Sequence, residues 1–322
     1  MMTDEGKRLF LSSMVAVGLS FVLSYLPVCS LFYTIPVIVI AGFFHDGKRL
    51  IPALVSGSAV VGYTLIQNHA ALQSELGRIG VLISLFFPVV LWVSALVWIA
   101  LEGKRSIRRY LASCVFGTVV SLVLLVWLTS ASDKVVALDK IMSKSFATLL
   151  GSFSQQAGLS FGTDAQLQGM YRMAIQVTGA LLVPICMVLV GVNEFIALNI
   201  RRRNDQSISE AVVAWHLPLE RSVWVFLSCW TLVAVSYFAH GAYLLTAMAV
   251  NLAASISLLY ALQGFAIVLY ALRKKNRLFS AGRLFGYLVI ILSLVPGLNV
   301  LVVVVLPLLG VTETWIMYRK NE

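Results

Sequence analysis

Charged residues are scarce in this sequence. They make up 12% of the 322 residues, whereas 60% are hydrophobic, and soluble domains carry about 25% charged residues. With so few charges, most helix faces must contact lipid or one another, so the composition excludes an ordinary soluble domain. The net charge of +10 does not indicate nucleic-acid binding, because the basic residues lie in short loops between apolar runs. We therefore expect a membrane protein.

Cysteine is also rare, and its spacing argues against two kinds of site. The four cysteines lie in or beside four different apolar runs and form no Cys-x-x-Cys pair, so we expect neither a disulfide framework nor a metal site. The Walker A, Gly-x-Gly-x-x-Gly and Gly-x-Ser-x-Gly motifs are missing as well. We expect no cofactor and no enzyme activity. The first apolar run is not followed by an Ala-x-Ala cleavage site, which predicts that this helix is retained.

Long apolar runs are what the sequence has in abundance. In residues 173–198 the only charged residue is Glu194, and about 20 apolar residues suffice to cross a bilayer core of about 30 Å. Runs of this kind predict an all-α, polytopic transmembrane helix bundle of nine or ten spans. The number depends on whether Pro296 and Gly297 separate two spans or kink one. The predicted spans are 9–26, 31–44, 52–67, 79–101, 110–129, 173–198, 222–238, 243–272, 279–295 and 298–317.

The segments between the spans divide the chain into three parts. Residues 1–200 are predicted to form a six-span N-terminal membrane unit with an outer helical insert at 130–172. A basic cytoplasmic loop, 201–221, leads to a C-terminal membrane unit of three or four spans at 222–322. Within the insert, apolar residues recur at steps of three and four over 135–153, which predicts an amphipathic helix. This helix either lies in the outer interface or packs on the bundle.

The distribution of lysine and arginine predicts the orientation. With a cytoplasmic N-terminus, 19 of the 24 basic residues fall in cytoplasmic segments, as the positive-inside rule requires. We therefore predict a multi-pass protein of the bacterial cytoplasmic membrane, whose partners are the anionic lipid headgroups of the inner leaflet and not nucleic acid. The basic residues expected to anchor helix ends there are Arg201, Arg202, Arg203, Arg273, Lys274 and Lys275.

Four polar residues inside or beside the spans are candidate substrate-binding residues. Glu194 lies deep in an apolar run, where an ionisable group indicates either a functional site or an ion pair with a nearby arginine. Asn251 and Gln263 in the eighth span either line a polar cavity or each make an interhelical hydrogen bond. Asn299 closely follows a Pro-Gly pair and fits either a broken transporter helix or a plain turn.

Three motifs follow one another in the C-terminal third of the chain: AWHLP at 214–218, LYALQGFAIV at 259–268 and LLGVTETWIMYRK at 308–320. In this order they resemble the YybS-like family of bacterial polytopic membrane proteins, a family of unknown function. Gly310, Glu313 and Arg319 fit the family's C-terminal motif, although Glu313 stands where we would expect an aspartate. The resemblance implies a membrane bundle and assigns no activity.

The span pattern of the N-terminal half is similar to that of another class of protein. With its short second helix, it resembles the substrate-binding S-components of energy-coupling-factor vitamin transporters, a likeness of fold alone. This resemblance implies small-solute binding and a transporter ATPase module as a partner. We therefore expect a transport-related function. The alternatives are a non-catalytic membrane scaffold or assembly factor and, third, a membrane-embedded enzyme that acts on lipid.

Overall fold

The protein is built from α-helices throughout the part that a computed structural model describes. That part comprises residues 4–26, 29–44, 46–130, 132–157, 164–201, 207–217, 219–276, 279–294 and 298–319, and it contains no strand. The helices are α1 (Asp4–Tyr25), α2 (Ile35–Ala41), α3 (Leu50–Gln67), α4 (Glu75–Ala100), α5 (Ser106–Leu128), α6 (Asp133–Ala157), α7 (Asp164–Ala180), α8 (Leu182–Arg201), α9 (Ser207–Val213), α10 (Leu219–Phe238), α11 (Tyr243–Lys275), α12 (Ala281–Leu294) and α13 (Leu298–Thr312). The all-α prediction is confirmed for these residues.

Seven of the helices are long and apolar enough to cross a bilayer, namely α1, α3, α4, α5, α8, α10 and α11. This is the pattern of a multi-pass membrane protein. Three further predicted spans correspond to shorter apolar helices, α2, α12 and α13. With 14 residues in α12 and 15 in α13, these two helices extend over only about 21–23 Å, less than a hydrocarbon core of about 30 Å.

The span predicted at 173–198 is not one helix, and this part of the prediction is wrong. Helix α7 ends at Ala180, Leu181 forms a turn, and α8 begins at Leu182. Pro184 lies in the first turn of α8, where its missing N–H removes the helical hydrogen bond to the carbonyl group four residues earlier. The apolar pattern runs unbroken through this point, so the sequence periodicity did not indicate the break.

The helical insert packs on the bundle. Helix α6 contacts α4 and α7, and the hydroxyl group of Tyr171 on α7 donates a 2.8 Å hydrogen bond to Asp139 Oδ1 on α6. The rings of Tyr171 and Phe146 lie 5.7 Å apart. Burial and the adjacent Asp139 carboxylate raise the pKa of Tyr171, so its phenol remains a hydrogen-bond donor. Of the two alternatives for this helix, the contacts favour packing.

The short second element is held by side chains from neighbouring helices. One turn of 3-10 helix (Ser30–Phe32) and a turn at residues 33 and 34 precede α2, so carbonyl groups there lack the partners of a continuous α-helix. Ser20 of α1 donates a 2.8 Å hydrogen bond to the Tyr33 carbonyl, and Asn193 of α8 donates a 2.9 Å hydrogen bond to the Leu31 carbonyl. Irregular backbone at membrane depth requires such partners, because hydrocarbon provides none.

Arginine side chains gather at one end of the bundle, called the basic end below. Arg49 and Arg201 both bind Glu102, at 2.9 and 3.0 Å. Arg109, at the start of α5, donates to the Trp98 carbonyl and lies 3.9 Å over the Trp98 ring. These contacts join the first residues of α3 and α5 to the last residues of α4 and α8.

Helices α11 and α13 cross with their backbones in close approach. A methyl group at Gly264 of α11 would overlap the backbone carbonyl of Leu306 on α13, and one at Gly310 of α13 would overlap the carbonyl of Tyr260 on α11. The two backbones are therefore in direct contact. Inside a bilayer the hydrophobic effect does not drive helices together, so close van der Waals packing across small residues stabilises such a crossing.

Candidate functional site

Glu194 is fully enclosed in the core of the N-terminal helices. It lies on α8, where its exposed fraction is 3%, about 10 Å along the helix axis from Arg201. Tyr110 and Cys114 of α5 are close enough to interact electrostatically with its carboxyl group, and both belong to the same buried cluster as Val190 of α8. A carboxyl group in such surroundings is costly unless it is neutral or paired.

The groups around Glu194 have already used their hydrogen-bond donors. Its Oε1 atom has no hydrogen-bond partner among the described residues. The Ser113 hydroxyl lies within hydrogen-bonding range of the carboxyl group, but it donates to the Arg109 carbonyl at 2.9 Å. The Tyr110 hydroxyl donates to the Met187 carbonyl at 3.0 Å. Because each hydroxyl carries one proton, a hydroxyl that donates to a carbonyl group cannot donate to Glu194 at the same time.

The predicted alternative of an ion pair has no counterpart in the described part of the chain. Arg201, the nearest arginine in sequence, binds Glu102 instead. The Arg109 guanidinium is close enough to act on Glu194 electrostatically, yet its Nε and Nη2 atoms donate to the Trp98 carbonyl. The carboxyl group therefore lies near a positive charge without a direct contact that the structure records.

Asn251, a second candidate, bridges the break between α7 and α8. Its Oδ1 atom accepts a 2.8 Å hydrogen bond from the Val183 N–H, and its Nδ2 atom donates at 2.7 Å to the Gly179 carbonyl. These two backbone groups would bond to each other in a continuous helix. The second proton of Nδ2 goes to the Ala247 carbonyl at 2.8 Å. The amide is thus engaged in interhelical hydrogen bonds.

Gln263, a third candidate, belongs to a buried junction at the basic end. Its Oε1 atom accepts from the Leu217 N–H at 3.2 Å, and its Nε2 atom donates to Glu313 Oε2 at 2.9 Å. Arg319 forms a two-pronged ion pair with Glu313 and donates to the Trp215 carbonyl at 2.8 Å. The side chains of Arg319 and Glu313 are only 4% and 5% exposed.

This junction unites the three motifs that carried the family resemblance. Leu217 and Trp215 come from AWHLP, Gln263 from LYALQGFAIV, and Glu313 with Arg319 from the C-terminal motif. The polar residues of these motifs thus bond to one another, and in this conformation they fasten the C-terminal segment to α11. Gln263 and Asn251 are 12 residues apart on α11, about 18 Å along its axis, so the structure does not bring the two amides together.

The remaining predicted residues fall into two groups. Arg273 lies 3.8 Å from Glu210 of α9, and it ends α11 together with Lys274 and Lys275. Arg202 and Arg203 lie outside the described residues, and Asn299 is the second residue of α13, with its side chain outside the described part. Whether these residues bind lipid or solute stays a prediction.

Several residues at or near the site were missed by the sequence reasoning. Asn193 precedes Glu194 and accepts a 2.9 Å hydrogen bond from Thr34; as a polar residue inside an apolar run it offered the same signal as Glu194. Arg109 is the last residue of a basic loop and Tyr110 the first residue of the span predicted at 110–129, so both were interpreted as boundary residues. Trp215, whose ring centroid lies 6.1 Å from that of Tyr110, carries a buried indole N–H without a partner among the described residues.

Comparisons with protein-family models, with curated proteins and with solved structures find no match. In the described ranges, no group of three or more His, Cys, Asp or Glu side chains comes together as a possible metal site. The functional proposal therefore depends on the geometry around Glu194.

Proposed function

We propose that this chain is a transport-related protein of the bacterial cytoplasmic membrane. It binds or translocates a small solute through the N-terminal unit, residues 1–200, and Glu194 takes up and releases a proton in that cycle. The observation that supports the proposal is a buried carboxyl group with an unpartnered oxygen, on a helix long and apolar enough to cross a membrane. Ionisable residues inside membrane spans are costly, and they mark ion pathways and proton relays in pumps and transporters.

A proton is the ligand that fits Glu194 best. An ionised carboxylate needs donors, and the Ser113 and Tyr110 hydroxyls donate elsewhere. A protonated carboxyl group can instead donate to the free lone pairs of the Ser113 hydroxyl, and it leaves no charge in the core. The titratable groups that face it are Arg109, Tyr110 and Cys114, all on α5. Because Arg109 is cationic and close, it repels a metal cation, and its charge favours release of the proton from the carboxyl group.

The proposed orientation places the basic end in the cytoplasm. The ion pairs of Glu102 with Arg49 and Arg201 lie there, as does the Arg319 junction, and the positive-inside rule assigns such clusters to the cytoplasmic side. In this orientation Glu194 lies about two helical turns from the cytoplasmic ends of α5 and α8, and the insert formed by α6 and part of α7 faces outward. An ATPase module would contact the cytoplasmic side.

A membrane scaffold or assembly factor is the second candidate. One observation favours it. The side-chain amide atoms of Asn251 and Gln263 form hydrogen bonds within the protein, so in this conformation these groups are not available to bind a solute. If the scaffold function is correct, removing the Glu194 carboxylic acid changes stability at most.

Uptake measurements test the transport proposal. Cells that lack the protein are complemented with the wild type, Glu194→Gln or Glu210→Gln, and a broad panel of labelled small solutes is offered. Glu210 is an exposed carboxylate on α9, so its replacement controls for loss of charge alone. We expect at least one solute to enter with the wild type and Glu210→Gln. With Glu194→Gln its uptake should be lost although the variant reaches the membrane.

Two outcomes would contradict the proposal. Equal uptake of every solute with and without the wild-type protein would show that the protein does not transport these solutes. If Glu194→Gln left uptake unchanged, the protein would still be a transporter, but Glu194 would not be its proton site. Recovery of uptake by Glu194→Asp, which retains the acid, would support that role.

A further inference from the structure

A groove of about 440 Å³ opens between α8 and α12 on the outside of the bundle. Its floor includes Phe195 of α8 and Phe285 of α12, whose ring centroids lie 5.0 Å apart. Helix α12 packs against α9 and α13, and its direct contacts with α8 are few. The residues that line the groove are Phe195, Ile196, Asn199, Ile200, Gly282 and Phe285.

The groove is apolar along its length and polar at one place. Among its lining residues only Asn199 has a polar side chain. Its Nδ2 atom donates to the Phe195 carbonyl of its own helix at 2.8 Å, which turns Oδ1 toward α12. A methyl group at Gly282 would approach that oxygen to 2.7 Å. Glycine at this position therefore leaves room beside a hydrogen-bond acceptor.

A basic residue follows the groove at its polar end. Arg283 is next in sequence to the lining residue Gly282 and is exposed in the first turn of α12, whereas Arg201, which follows Ile200 at the end of α8, is bound to Glu102. From this end both helices run into the bundle, so that Phe195 and Phe285 lie about one turn deeper than Ile200 and Gly282. The groove thus has a positive charge at its rim and aromatic rings inside.

We propose that this groove binds one anionic phospholipid, with its phosphate at Arg283, a headgroup hydroxyl at Asn199 and an acyl chain along Phe195 and Phe285. The volume lies within the range of specific ligand sites, about 300–1,000 Å³. Charge complementarity selects an anionic lipid over a zwitterionic one, because a basic residue near the membrane surface contributes about 1 kcal/mol toward anionic headgroups. A hydroxyl-bearing headgroup satisfies Asn199, which offers an acceptor.

Native mass spectrometry of the full-length protein tests this site. The purified protein is equilibrated with mixed micelles that contain equal amounts of phosphatidylglycerol and phosphatidylcholine, and the retained lipids are counted. We expect one phosphatidylglycerol to be retained preferentially by the wild type. Arg283→Gln should reduce that preference about fivefold, the equivalent of one basic residue. Arg221→Gln, which removes another exposed arginine near the start of α10, should leave the preference unchanged.

A second variant tests the apolar part of the groove independently. Ile200 is 55% exposed, so Ile200→Trp fills the groove without removing buried packing, and it should abolish retention of the lipid. Ile66→Trp, at a position 74% exposed near the end of α3, is its control. Equal retention of the two lipids by the wild type would overturn the proposal. So would an equal effect of Arg221→Gln and Arg283→Gln, or undiminished retention by Ile200→Trp.

Discussion

Replacing Arg319 by glutamine should destabilise the protein strongly. Arg319 and Glu313 form a buried ion pair, and removing one partner of such a pair usually lowers the free energy of unfolding by about 3–5 kcal/mol. The variant leaves the Glu313 carboxylate in a site that is 4% exposed, with Gln263 as its remaining side-chain donor. We therefore expect a loss near the middle of that range, about 4 kcal/mol.

The contacts of Arg319 show where this loss originates. Besides the carboxylate, the guanidinium bonds the carbonyl groups of Val213 and Trp215 at 2.5 and 2.8 Å, and a hydrogen bond that involves a charged group contributes about 1.5–3 kcal/mol. The loss of these two bonds accounts for about 3 kcal/mol or more, and the uncompensated charge of Glu313 adds to the loss. The exposed Arg221→Gln is the matched control, and it should change the stability by less than about 0.5 kcal/mol.

Reversible unfolding in mixed micelles, followed by tryptophan fluorescence, measures both variants. The double variant Glu313→Gln with Arg319→Gln should regain part of the loss, because no charge is left unpaired; the double-mutant cycle isolates this coupling. The reasoning would be refuted if Arg319→Gln were no more destabilising than Arg221→Gln. It would also be refuted if the effects of the two glutamine substitutions simply added.

Two further predictions concern helix packing. Gly310→Ala should separate α11 from α13 and lower the thermal midpoint by several degrees, because the new methyl group overlaps the Tyr260 carbonyl. The control is Gly286→Ala, whose methyl group would have no neighbouring atom within 4 Å, and this variant should be neutral or slightly stabilising. Asn251→Leu should cost about 1–2 kcal/mol in the same unfolding assay, because it leaves backbone groups at the break before α8 unpaired. Equal melting of the two glycine variants, or no difference between Asn251→Leu and the exposed Gln67→Leu, would contradict these expectations.

Hydrophobic periodicity and charge placement predicted the helical elements well. A run of about 20 apolar residues is constrained by bilayer thickness, so α1, α4, α5 and α11 follow directly from the sequence, and their bounds agree with the predicted spans to within a few residues. The amphipathic pattern at 135–153 likewise predicted α6. These features depend on residues that are close in sequence, which a single chain displays without an alignment.

The partners of the polar residues could not be predicted in the same way. Asn251 and the break before Val183 are 68 residues apart, and the interaction depends on how α11 packs against α7 and α8. Arg319 reaches the Val213 carbonyl, 106 residues away. Such contacts follow from tertiary packing, so the sequence indicated that these residues were polar and inside the bundle but did not distinguish a structural role from a functional one.

Glu194 differs from the other candidates because the structure leaves one of its oxygen atoms without a partner in the described part of the chain. Asn251 and Gln263 complete hydrogen bonds that other elements require, whereas the Glu194 carboxyl group has the Ser113 hydroxyl of α5 as its hydrogen-bonding neighbour. Its retention in a packed core would lower stability without benefit unless the carboxyl group binds something. This contrast is the reason for assigning the proton to Glu194.

Infrared difference spectroscopy of the protein in lipid bilayers tests this assignment most directly. The carbonyl stretch of a protonated carboxylic acid is recorded during a pH titration for the wild type, Glu194→Gln and the control Glu210→Gln. We predict a band from a buried carboxylic acid in the wild type and in Glu210→Gln that is absent from Glu194→Gln. Identical spectra for all three proteins would show that Glu194 does not carry a proton, and the central claim would be wrong.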